Sequence, residues 1–230
     1  MKGARPVPNI IKKPGREGAG RVVEQKDKDR EQRCQVLSKL ARRRELQARY
    51  GYDLDRERLA VIEAARPLAG RILEAGTGRG HLALNLARLG YHLVSFDQSA
   101  EQLDFARQNL EANGLAELVE LRQEDGENLS LADGSFDVIF AVNLIHHLKN
   151  PYRVMDELQR VLASSGKQVI SDFNERGLAM MAEIHRLEGD EHEVSGVSLA
   201  EIEEYLKTKG LNIKRTQTEF EIILVASKPG

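Results

Sequence analysis

The sequence predicts an α/β domain: a seven-stranded, Rossmann-like, mostly parallel sheet with an antiparallel C-terminal strand, preceded by an N-terminal helical extension. Three observations predict it. From residue 71 onward, short aliphatic runs alternate with helical periods, which is how a parallel sheet covered on both faces reads. A glycine-rich turn, Gly76-Thr77-Gly78-Arg79-Gly80, joins the first strand to the first of these helices. The last two strand-like runs lie too close together for a crossover helix, so they must pair antiparallel.

Residues 1–23 contain Pro6, Pro8, Pro14 and four glycines without a sustained apolar period, and read as a flexible basic arm. Residues 24–66 read as the helical extension. Good helix formers dominate 24–49, where Val36, Leu37, Leu40 and Ala41 recur at helical spacing, and 54–65 is a second helix ended near Pro67. The main domain is expected over 67–230. Its strands are predicted at 71–75, 91–97, 118–123, 136–142, 166–173, 211–216 and 220–226, and its helices at 80–89, 100–113, 151–162 and 199–209. Leu103, Ala106 and Leu110 share one face of the second helix, and Leu199, Ile202 and Leu206 one face of the last.

Composition narrows the class. A chain of 230 residues suits one catalytic domain with an appended segment. No apolar run approaches the roughly 20 residues of a membrane-spanning helix, and the N-terminus lacks the roughly 7–15-residue apolar stretch of a secretory signal. A soluble, cytoplasmic protein without a membrane partner is expected. Cys34 is the only cysteine, which excludes an intramolecular disulfide and a multi-cysteine zinc cluster. The net charge of -2 hides an asymmetry: residues 1–50 carry 15 Lys and Arg against 6 Asp and Glu. Such a segment suits a nucleic-acid or acidic partner, or simply a solvated extension. The lack of an aromatic residue before Tyr50 favours the extension.

A strand, a glycine-rich turn and a helix in succession put backbone N–H groups at the carboxyl edge of the sheet, where open α/β folds bind ligands. Glycine is needed in such a turn on steric grounds alone, so the loop is weak evidence of a ligand by itself. Asp97 strengthens it. Ending the next strand, 21 residues after Gly76, its carboxylate is placed to accept hydrogen bonds from both hydroxyls of a ribose. Its competing role is to cap the following helix, which Ser99 is equally placed to do.

From Ala69 to Phe173 the chain resembles the class I S-adenosylmethionine-dependent methyltransferases, specifically the branch called methyltransferase type 11. Leu73-Glu74-Ala75-Gly76-Thr77-Gly78-Arg79-Gly80 is similar to the family's first motif and Phe96-Asp97-Gln98-Ser99 to its second. Gln123-Glu124-Asp125-Gly126 is similar to the third, and Phe136-Asp137-Val138-Ile139-Phe140-Ala141-Val142-Asn143 to the fourth. Ser164-Ser165-Gly166-Lys167 stands where the family has a Pro-Gly-Gly turn. The resemblance implies S-adenosylmethionine as cofactor, with Glu74 and the loop Gly76, Thr77, Gly78 and Gly80 around its methionine end. It implies Asp97 on the ribose, Gln98 beside the adenine, Asp125 accepting from the adenine amino group, the backbone of Gly126 close to the ring, and Asn143 by the methionyl amine. A nicotinamide dinucleotide is the rival ligand, but its fingerprint is G-x-G-x-x-G, one residue longer than the spacing here.

Methyl transfer from a sulfonium needs mainly alignment and a dry pocket. An acceptor that must lose a proton also needs a base, and His146 and His147, just after the fourth predicted strand, are the candidates together with His185. The alternative for the first two is packing or support of the cofactor loop. The resemblance places part of an acceptor lid at 174–197. Its amphipathic stretch 180–188 includes Met180 and Met181, suited to an adaptable apolar pocket. His185, His192 and Glu193 there, with His146 or His147, form a conceivable metal set, but a solvated helix face is the favoured reading and no metal is expected. The short lid favours a small-molecule acceptor; the basic arm keeps an RNA or protein substrate as the alternative, and a cofactor-binding protein without transfer activity is a third.

Overall fold

A computed structural model of the chain describes residues 41–188 and 196–228. The expected arm at 1–23, Cys34 and the first part of the helix expected over 24–49 lie outside the described residues; 41–49 is helical. The chain divides after Leu46, and everything below concerns the unit that begins at Gln47.

That unit opens with α1 (Leu54–Ala64), capped by the Asp53 side chain accepting from the N–H groups of Asp55 and Arg56. It continues as β1 (Ile72–Ala75), α2 (His81–Arg88), β2 (Leu93–Asp97), α3 (Ala100–Ala112), β3 (Val119–Gln123), β4 (Phe136–Val142), α4 (Pro151–Val161), β5 (Leu162–Phe173), α5 (Glu175–Glu188), α6 (Leu199–Thr208), β6 (Asn212–Gln217) and β7 (Glu221–Ser227). The sheet order is β3-β2-β1-β4-β5-β7-β6. β1 to β5 pair parallel, and β7 runs antiparallel to both β5 and β6.

Strand alternation sorts the core into two layers. On β1 and β4, Leu73, Ala75, Ile139 and Ala141 face one side with Val154 and Leu158 of α4 and Ile202 and Leu206 of α6. Ile72, Val138 and Phe140 face the other, with Val61 and Ile62 of α1 and Leu82 and Leu86 of α2. Although expected as part of an extension, α1 therefore supplies core to the same unit as the sheet. Pro151 opens α4 at a position where its missing N–H costs nothing, and a Ser198–Glu201 capping box opens α6.

One predicted turn is strand instead. β5 starts at Leu162, so 164–167 lies within it. A register shift between Phe136 and Val138 allows this: Phe136 pairs with Leu162 while Val138 pairs with Lys167, and the extra residues bulge. Gly166 permits the crowding, since a Cβ there would lie 2.7 Å from Leu162 Cδ1 and 2.9 Å from the Asp137 carbonyl oxygen. Among the described residues of the expected lid segment 174–197 lies the 14-residue helix α5, with Met180 and Ile184 buried. No described helix is long and apolar enough to cross a membrane.

Candidate functional site

The strand order reverses between β1 and β4, and at that point a cavity of about 540 Å³ opens at the carboxyl edge of the sheet. Glu74, Gly76, Thr77, Gly78, Asp97, Gln98, Asp125, Gly126 and Asn143 all line it, as does His147. Gly80 does not. With φ of 76° it opens α2, and a Cβ would come within 3.0 Å of Ala106 Cβ on α3, so its requirement is helix packing.

The loop after β1 is held by backbone hydrogen bonds. The N–H groups of Gly76 and Thr77 both donate to the Phe96 carbonyl on β2 at 2.9 Å. At Gly78, φ is 50° and no other atom lies within 4 Å of a notional Cβ, so this glycine gives a ligand close access to the backbone. The Gly78 N–H donates to Asp97 Oδ2 at 2.9 Å, and the Ser99 N–H donates to Oδ1 at 2.9 Å. Both oxygens are thus fixed in place with lone pairs to spare. Capping α3 falls to Ser99, whose hydroxyl accepts from Gln102 N–H. At the far end of the cavity Asp125 Oδ1 accepts from Glu127 N–H at 2.9 Å, and the neighbouring Gly126 packs on Val154 and Phe96.

Buried Glu74 ends β1 beneath the loop. Its Oε2 accepts from Ser95 Oγ, which lies 2.7 Å from Thr77 Oγ1. Burial pushes its carboxyl up to about 8, against the opposing pull of Ser95, Arg58 and the Ala83 N–H. Asn143, just past β4, has φ of 52°, the one positive value outside glycine among the described residues. Its Nδ2 donates to Glu221 Oε1 at 3.1 Å, which fixes the amide orientation, and its Oδ1 is buried without a hydrogen-bond partner.

Glu221 belongs to a group that the sequence reading missed. Fully buried at the start of β7, it accepts from Tyr52 OH and Arg58 Nη1, each at 2.9 Å, from Asn143, and from Ser171 Oγ at 2.7 Å. Burial alone would raise its carboxyl, but Arg58 and these hydrogen bonds hold it below the usual carboxylate range. Burial also drives the Tyr52 phenol well above its ordinary value, so it stays a donor. The only sequence signal for Glu221 was a lone charge leading an apolar strand; Tyr52 and Arg58 carried none.

The histidines separate. His146 Nδ1 lies 2.7 Å from Oδ1 of buried Asp172, at the end of β5, and its ring stacks on His147 with centroids 4.1 Å apart. Only His147 of the two lines the cavity. His185 sits half-buried on α5, away from the lining, and His192 and Glu193 lie outside the described residues. Among the described residues no group of His, Cys, Asp and Glu is arranged to hold a metal.

Residues 73–170 match the family described as Methyltransferase domain. Over 131 residues the chain is 35% identical to phosphatidylethanolamine N-methyltransferase of Cereibacter sphaeroides, covering 57% of this chain and 63% of the relative. Over 114 residues it is 34% identical to ubiquinone biosynthesis O-methyltransferase of Ruegeria sp. (strain TM1040), covering 49% and 45%. The chain thus spans about half the length of the curated relatives it matches. The solved [4+2]-cyclase SpnF superposes with a TM-score of 0.61 at 19% identity, over 76% of this chain and 81% of that one, a likeness of fold.

Proposed function

We propose that this protein is a class I S-adenosylmethionine-dependent methyltransferase, which transfers a methyl group from S-adenosylmethionine to a small-molecule acceptor. The observation that carries this is the convergence of Asp97, Asp125, Gly126 and Asn143, from successive strand ends, on one cavity with the Gly76–Gly78 loop. Those groups suit the cofactor. Asp97 offers two fixed acceptor oxygens for a diol, Gly78 leaves room for close approach, and Asn143 Oδ1 is an acceptor without a partner, suited to an ammonium. When bound, S-adenosylmethionine supplies a methyl group on a sulfonium whose charge already activates the leaving group.

The chain's own residues then orient and enclose. Asp97 holds the ribose hydroxyls, Asp125 accepts from the adenine amino group with Gln98 and the Gly126 backbone beside the ring, and Glu74 with Asn143 receives the methionyl ammonium. Alignment and exclusion of water are the main contributions asked of them. For an acceptor that must lose a proton, His147, which lines the cavity, is the candidate base, and His146, held by the Asp172 carboxylate, supports it from behind. The rings of His147 and His146 lie with centroids 4.1 Å apart.

The names of the two relatives specify nitrogen in one case and oxygen in the other, so the acceptor atom is for experiment to supply. Release of S-adenosylhomocysteine across a panel of quinols, amines and phenols tests the proposal directly. Turnover with at least one small acceptor is expected, and His147→Asn is expected to lower kcat most for hydroxyl acceptors. Binding of the cofactor without product from any acceptor would instead favour a protein that holds the cofactor and transfers nothing. The 15 Lys and Arg among residues 1–50 support a second reading, an RNA- or protein-directed enzyme. Salt-sensitive RNA retention that disappears on deleting residues 1–23 would favour it.

A further inference from the structure

The two ends of the Asn143 amide have nearly the same shape and opposite hydrogen-bonding character, so a neighbour must decide which end is offered to a ligand. Glu221 decides it. Its carboxyl, held below the usual carboxylate range by Arg58 and its hydrogen bonds, only accepts, and Oε1 takes the proton of Asn143 Nδ2 at 3.1 Å. Turning the amide over would set Oδ1 against that oxygen, two acceptors with no proton between them. Glu221 is itself pinned. Tyr52 OH and Arg58 Nη1 also donate to Oε1, each at 2.9 Å, and Ser171 Oγ holds Oε2 at 2.7 Å.

Asn143 lines the cavity, whereas Glu221, Tyr52 and Ser171 do not. The end of the amide turned away from Glu221, Oδ1, is buried without a hydrogen-bond partner. An acceptor left in that state is costly until a donor arrives with a ligand. An NH2 group in its place would repel a cation. Resting on the methyl-donor reading, we infer that Glu221 is a positioning residue for the donor's amino group: it fixes the Asn143 amide from behind, so that an acceptor and not a donor meets the methionyl ammonium. Glu221 lies at the start of β7, far in sequence from the glycine loop and the strand ends to which the cofactor contacts were assigned.

The test pairs S-adenosylhomocysteine with its deaminated analogue, in which hydrogen replaces the amino group and the carboxylate is kept. Titration calorimetry on the full chain gives the ratio of the two affinities, in which losses common to both ligands cancel. The wild type is expected to prefer S-adenosylhomocysteine by about tenfold or more, the usual value of a hydrogen bond to a charged group. Glu221→Met is expected to lower that ratio severalfold, and so is Asn143→Gly, since glycine adopts the positive φ freely. The two changes combined should give the ratio of Asn143→Gly alone, because Glu221 acts through the amide. A fall in both affinities that leaves the ratio intact in Glu221→Met would overturn the inference and reduce Glu221 to a structural role. Equal binding of both ligands by the wild type, or an unchanged ratio in Asn143→Gly, would overturn it as well. If Glu221→Met does not fold, Arg58→Met/Glu221→Met, which removes both charges of the buried pair, takes its place with the same outcomes. Failure of the wild type to bind S-adenosylhomocysteine at all would refute the methyl-donor reading itself, a separate result.

Discussion

The two walls of the cavity are built by opposite means. On the strand-end wall the work is done by backbone: glycines with positive φ, amides of Gly78 and Ser99 on Asp97, and a short turn at Asp125-Gly126. At Arg58, which also lines the cavity, the means are different: Tyr52 and Arg58 from before the sheet meet Glu221, more than 160 residues later, through side chains alone. The first wall is set by local sequence and tolerates little change of shape. The second is a buried electrostatic cluster, in which removing one member strands the others.

The largest effect is therefore expected on the second wall. Glu221→Ala leaves Arg58 buried without its counter-charge, and Tyr52, Asn143 and Ser171 without an acceptor. We expect a loss of about 3–5 kcal/mol in urea denaturation. An unchanged midpoint would mean that the cluster is solvated and the contrast between the walls false.

Next come two glycines of the first wall, chosen to separate packing from ligand access. Gly80→Ala combines a strained φ with contact on Ala106 and is expected to cost about 2 kcal/mol of stability or more. Gly78→Ala carries the strain alone, about 1–2 kcal/mol, but places a methyl group on the open face and should weaken S-adenosylmethionine more than Gly80→Ala does. The reverse order of affinities would show that Gly78 does not face the ligand.

The smallest effect concerns a proton. Because burial holds Glu74 protonated to about pH 8, a cationic ligand that stabilises its carboxylate must expel that proton. Binding at pH 7 is expected to release up to about one proton, measured from calorimetric heats in buffers of different ionisation enthalpy, and Glu74→Gln should abolish the release. The same raised value means that the ligand-free protein loses stability as pH climbs from the ordinary carboxylate range through 8. Binding without proton release would show that Glu74 does not meet the ammonium.

Legibility in the sequence follows the same division. Alternating apolar runs fixed the seven strands to within a residue or two except at β5, where the bulge opposite Phe136 carries strand through Ser164-Ser165-Gly166-Lys167. That bulge depends on pairing between strands, which no local pattern records. The candidate residues Asp97, Asp125 and Asn143 were legible because each ends a strand or opens the turn after it, so one position fixes both the element and the site. Gly80 was read as lining because it shares the loop, whereas Ala106 on α3 decides its place. Arg58, Glu221 and Asp172 were not legible. A charge on a helix or at a strand end reads as solvent-facing, and only the tertiary fold brings Arg58 to Glu221 and Asp172 to His146.

The account depends most on Asp97 as the residue that holds a ribose. Calorimetric titration of S-adenosylmethionine into the wild type and into Asp97→Ala tests it directly. Saturable binding to the wild type is predicted, with at least about a hundredfold weakening in the variant from the loss of two charged hydrogen bonds. No binding by the wild type, or equal affinity in a folded Asp97→Ala protein, would contradict it.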